Sequence, residues 1–159
     1  MWIIGSFVPN LVHVFSLGLF SASAVTAGPF IFSRTEPSDS LRRHELTHVK
    51  QWADWMILGF LAALVLLIGA HPWWAFSSLF IAMGVDWLLY FVFQAIYTVI
   101  HWPEEVPARY REAGYSKLKF AITLGYLNNP MEREADYYGS LSGFEPRPAF
   151  GWLRFLRSR

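Results

Sequence analysis

Two histidines four residues apart with a glutamate beside the first, His44-Glu45-Leu46-Thr47-His48, form an H-E-x-x-H pattern. Residues four apart on a helix stand one above the other, so both imidazoles converge on one metal ion, and Glu45, offset by one position, reaches a water beside it. Cysteine is absent, so disulfides and thiolate sites are excluded, and any metal must be held by His and carboxylates. A chance H-E-x-x-H is expected roughly once in a hundred chains of this size and composition. Against the alternative of a surface helix with idle histidines stands the clustering of two of the chain's five His on one helical stretch.

A zinc site with an open catalytic position takes three protein ligands, so the third must come from elsewhere. The best source is Asn129-Pro130-Met131-Glu132-Arg133-Glu134-Ala135-Asp136. Asn129 caps a helix there, Pro130 takes its first position, and Glu132 and Asp136 lie four apart on one face. One carboxylate can then bind the metal while the other accepts the free ring N–H of a ligating His. Asn129 followed three positions later by Glu132 also reads as a capping box, in which Glu132 only satisfies a backbone N–H.

H-E-x-x-H followed far downstream by E-x-x-A-D, Glu132 to Asp136, resembles the gluzincin metallopeptidases. Within them it is most similar to the membrane-embedded branch that includes the CAAX prenyl-protein and bacterial heat-shock membrane proteases. The resemblance implies His44, His48 and Glu132 as zinc ligands, Glu45 as general base and Asp136 as the partner of a ligand His. The wording H-E-L-T-H-V-K-Q and N-P-M-E-R-E-A is also similar to short bacterial membrane proteins, which implies a bacterial or archaeal plasma membrane. The chain departs from the large membrane gluzincins in length and lacks the additional spans that enclose their chamber. Tyr137, Tyr138 and Arg133 are candidates to steady an oxyanion, though no motif assigns one.

The elements that must position these residues follow from composition and charge. Apolar residues make up 54% of the 159 and charged residues only 16%, against roughly 25% in soluble domains, which excludes a disordered or nucleic-acid-binding chain and points to a membrane protein. Residues 1–33 and 55–85 carry no Asp, Glu, Lys or Arg. About 20 apolar helical residues cross a hydrocarbon core, so spans are predicted over about 10–32, 55–70 and 74–100, in an all-α, single-domain polytopic protein. Ala22-Ser23-Ala24 has the small-residue pattern of a signal cleavage site, but Met1-Trp2-Ile3 lacks the positive charge that precedes one. Four Lys and Arg lie between the first two spans and the other nine follow the third, which assigns 33–54 and 103–159 to the cytoplasm.

From Leu41 to Ala70 there is no proline, so one helix is expected to run from the motif into the membrane, capped by Ser38, Asp39 or Ser40. That geometry sets the metal about 12 Å above the bilayer edge. Further helices are expected over Ala108–Leu124 and Pro130–Ser140. Asp86, in the third span, is expected to be neutral and bonded to Ser21 or Ser23.

Together with the resemblance, these features lead to the expectation of an integral membrane zinc metallopeptidase acting on membrane-tethered or membrane-adjacent polypeptides at the cytoplasmic face. The lipid bilayer is its other partner. A metal-dependent hydrolase of lipid or another non-peptide substrate is the alternative, as is a non-catalytic zinc-binding scaffold. Glu45 argues against the scaffold, since a closed structural zinc site has no use for a base.

Overall fold

The Ala24–Ser33 stretch shows how local chemistry overrides bulk hydropathy. Val25, Thr26, Phe30, Ile31 and Phe32 favour extended backbone, and Gly28-Pro29 interrupts them. The computed structural model of the chain describes residues 2–4, 23–33, 36–69, 72–142 and 146–156. There, Ala24–Ala27 (β2) and Phe30–Ser33 (β3) form an antiparallel hairpin closed by the Ala27 and Phe30 pair. Gly28 takes φ 60°, a left-handed conformation that a side chain resists, and Pro29 fixes the next φ. Trp2–Ile4 (β1) pairs in parallel with β3, giving the order β1-β3-β2. The first predicted span is therefore corrected at its described end, where residues 24–33 are strand and turn; residues 10–22 of it lie outside the described residues.

The rest of the described chain is mostly helical. Asp39–Gly69 (α1) is a single helix of 31 residues, as its lack of proline predicts, with Ser38 Oγ accepting from Leu41 N at its start. Pro72–Ile100 (α2) opens on the proline that ends its predecessor. Both helices are long and apolar enough to cross a membrane, and only 17% and 6% of their most apolar windows are buried, unlike the core helices of a soluble domain. They pack antiparallel through small residues. A Cβ on Gly59 would collide with that of Ala82, and Ser78 Oγ donates to Gly59 O at 3.3 Å.

The helix expected over 108–124 is two helices, Ala108–Glu112 (α3) and Lys117–Asn128 (α4). Gly114 at φ 76° turns the chain between them, and Ser116 caps α4 by accepting from Lys119 N. Gly125 brings α4 against Thr98 of α2, where any side chain would strike the Thr98 backbone. Pro130–Ser140 (α5) begins as expected, with Asn129 Oδ1 accepting from Met131 N and Pro130 in the first turn. A 3₁₀ helix, Gly151–Leu156, completes the described chain, and its Trp152 is buried against Phe93.

Candidate metal centre

α1 and α5 cross closely because Gly139 lies against His44, whose Cβ would stand 3.3 Å from any Cβ added there. That contact brings the two sequence blocks together. His44 Nε2 and His48 Nε2 face each other at 3.3 Å, and Glu132 places Oε2 3.3 Å from the first and Oε1 3.5 Å from the second. One ligand atom from each of the three lies within 4.8 Å of the others, so the group could hold a metal ion. Two imidazole nitrogens and a carboxylate oxygen are a donor set suited to zinc and to other divalent transition metals. Glu132 Oε2 is buried with no hydrogen-bond donor among the described residues, as expected of an atom facing a cation.

Glu132 is not the cap that its spacing also allows. The Asn129 N–H donates to Tyr126 O, and the Glu132 carboxylate turns to the imidazoles instead. Tyr90 of α2 donates to Glu132 Oε1 at 2.7 Å, and Tyr126 of α4 lies close enough to the same carboxylate for its pKa, already raised by burial, to be raised further. Burial favours a neutral Glu132, but the neighbouring His48 and His44 imidazoles hold its carboxyl well below the usual carboxylate range.

Each imidazole is oriented from behind. His44 Nδ1 lies 3.0 Å from Asp136 Oδ1, the pairing that the E-x-x-A-D resemblance implies. His48 Nδ1 lies 2.8 Å from Gln51 Oε1. Gln51 is fully buried, and its Nε2 donates to Met131 O at 3.0 Å and to Glu134 Oε2 at 2.9 Å, both of which only accept. The amide thereby turns Oε1 toward His48, which must donate from Nδ1 and leave the Nε2 lone pair to the metal position.

Behind Gln51 a third layer fastens the C-terminal segment to the site. Arg147 donates to Glu134 Oε2 at 2.9 Å and to Asp54 Oδ2 at 2.7 Å, and the Phe150 N–H reaches the same Asp54 oxygen at 2.8 Å. The Arg147 side chain is 2% exposed and Glu134 is fully buried, so this is a closed ion-pair network. Burial works against the charged guanidinium, but Glu134 and Asp54 raise its pKa above the usual arginine value.

Glu45 is buried beside the imidazoles, and Thr26 Oγ1 of β2 donates to its Oε2 at 2.7 Å. The hairpin thus holds the residue that the motif names as a base. The oxyanion candidates make their contacts with the 146–156 segment. Tyr137 and Tyr138 lie under Arg154, and Arg133 donates to Phe155 O. Asp86 has a buried Oδ1 without a partner among the described residues; Ser21 lies outside them, and Ser23 is exposed and makes no contact to Asp86.

Gln51, Tyr90, Thr26, Glu134 and Arg147 are the site residues that the sequence reading missed. Gln51 had a signal, since it follows His48 by three positions on the same helical face. No protein-family model, curated protein or solved structure matches the chain, so the site is read from its own geometry.

Proposed function

We propose that the chain is an integral membrane zinc metallopeptidase that hydrolyses peptide bonds of polypeptides held at or near the membrane. In this reading His44, His48 and Glu132 hold the ion, Glu45 is the general base and Asp136 fixes the His44 tautomer. One observation carries the reading: two imidazoles with Nε2 toward a shared carboxylate, and a buried Glu45 that stands outside this three-residue group and is anchored by Thr26. A structural metal site has no need of that fourth residue.

Zinc bound there would supply Lewis acidity toward a carbonyl and would lower the pKa of water. The chain's own residues do the rest. Glu45 accepts the proton of the attacking water and passes it to the leaving amine, and the Thr26 hydroxyl keeps its carboxylate in one orientation between the two transfers. Tyr90 and Gln51 restrain Glu132 and His48, so the ligands need little rearrangement during turnover.

A peptide substrate is favoured over a lipid by the sheet. β2 is its terminal strand, paired only with β3 among the described residues, and it carries Thr26 beside Glu45. An extended polypeptide can hydrogen-bond such an edge and bring its carbonyls to the site, whereas an acyl chain has no groups to pair with it. The distribution of Lys and Arg supports a cytoplasmic position for the site.

The test compares wild type with Glu45→Gln in membranes and maps new polypeptide termini by mass spectrometry, with zinc measured on the same preparations. The expected result is about one zinc per chain in both and termini only in wild type. Equal cleavage by the two proteins would remove the peptidase mechanism. Unchanged zinc in a His44→Ala, His48→Ala double variant would remove the metal site.

A further inference from the structure

The lower half of α2 carries an apolar surface that the fold leaves bare. Leu88, Phe91, Val92, Ile96, Val99 and Ile100 are each at least 40% exposed. At 100° per residue they occupy one half of the helix, while Asp86, Tyr90, Gln94, Tyr97 and Thr98 occupy the other. The polar half is used inside the protein, as in the Tyr90 bond to Glu132 and the Gln94 bond to Ile122 O. The bare half continues the exposed surface of Trp73, Phe80 and Ile81 without a polar break large enough to mark a change of solvent.

Its length matches a bilayer. Exposed tryptophans stand at both ends, Trp73 and Trp74 at the start and Trp102 just past the end, followed by the acidic Glu104 and Glu105. At 1.5 Å per residue Trp73 and Trp102 are about 43 Å apart, against a bilayer of ~40–45 Å including headgroups and ~30 Å of hydrocarbon. The metal ligands fall within that interval. The His48 and Tyr90 rings are 6.4 Å apart, and Tyr90 lies about 18 Å along the helix from Trp102, of which the headgroup zone takes only ~5–8 Å.

We infer that the metal centre lies at the depth of the inner-leaflet acyl chains, with α2 as a lipid-facing wall, and that its substrate is an apolar membrane-inserted polypeptide segment. This rests on the membrane reading given under Proposed function and lowers the site from the ~12 Å above the bilayer that the apolar run of α1 alone suggests. Ionisable groups at such depth face a protein interior or a water-filled cavity and mark functional sites. Arg42, Arg43 and Lys50 lie on the ligand-bearing end of α1, the end that the charge distribution assigns to the cytoplasm. The peptide reaches the site from lipid, and water reaches it from the cytoplasmic side.

The chain has no cysteine, so single spin labels can be placed at Leu88→Cys and Val92→Cys, with Ile81→Cys as the mid-span reference and Glu105→Cys as the aqueous one. Collision with oxygen and with a water-soluble nickel chelate is then measured for the full chain in lipid nanodiscs. The expected result is a shift at Leu88 and Val92 to the oxygen-rich, nickel-poor values of Ile81. Nickel collision at Val92 equal to that at Glu105, with Ile81 still protected, overturns the depth and leaves the membrane reading intact. Low collision with both reagents at Val92 means that protein covers the stripe, which also overturns it. Nickel collision at Ile81 equal to that at Glu105 overturns the membrane reading and the depth together. Glu45-dependent cleavage is read independently of all four labels.

Discussion

Replacing Gln51 by Leu removes one buried amide and takes one hydrogen bond from each of three groups. His48 Nδ1–H loses its acceptor, and Met131 O and Glu134 Oε2 lose a donor. Outer partners of ligating histidines are typically worth 10–100-fold in metal affinity, so zinc binding should weaken by about 1.4–2.7 kcal/mol. Each buried group left unsatisfied costs about 1–3 kcal/mol of folding free energy, and Arg147 still serves Glu134, which places the stability loss toward the low end for that residue. Gln51→Glu separates the two effects. It keeps an acceptor for His48 but sets a second carboxylate against Glu134, so it should keep zinc better than Gln51→Leu while unfolding more easily. Competition with a chelator of known affinity reads the first quantity, and denaturant unfolding of the zinc-free protein reads the second. Zinc affinity within twofold of wild type in Gln51→Leu would refute the orienting role.

Arg147→Met leaves Asp54 and Glu134 buried without their cation and should destabilise the protein by about 3–5 kcal/mol in equilibrium unfolding, with Glu134→Gln in the same chain recovering part of it. Thr26→Val removes the donor to Glu45 and should lower kcat by about ten- to a hundredfold with zinc content unchanged, because the base is misplaced while the ligands are intact. Glu132→Gln should lower zinc affinity sharply in chelator competition while circular dichroism shows α5 intact, since Asn129 rather than Glu132 caps that helix.

What the sequence disclosed was whatever depends on local spacing. The pairing of His44 with His48 follows from helical periodicity alone, and α1 follows from a proline-free run that ends before His71-Pro72. Asn129 and Pro130 announce α5 in the same way. The hairpin was missed because counting charges ignores period. Residues 24–33 are as free of charge as a span, yet Val25, Thr26 and Ile31 around Gly28-Pro29 carry the composition and break of a two-residue turn. Gly114 was likewise passed over inside an otherwise helical stretch, although its φ of 76° ends α3.

The remaining site residues are long-range in sequence, and no window of sequence contains both partners. Tyr90 reaches Glu132 across 42 positions and Arg147 reaches Asp54 across 93. A tyrosine in an apolar helix reads as interfacial, and an arginine between prolines reads as a surface charge, until packing supplies their carboxylates. Glu134 is the sharpest case. It lies two positions from Glu132, about 200° around the helix, which in isolation marks it as solvent-facing. Yet α5 is a short helix enclosed on both sides, by α1 and by the 146–156 segment, so it has little free face and Glu134 is fully buried under Gly151. A helix wheel assumes one buried face; where a helix is the middle layer of three, its second face becomes a buried site for charge. That second face here carries the ion pair that holds Gln51, and through it His48, in place.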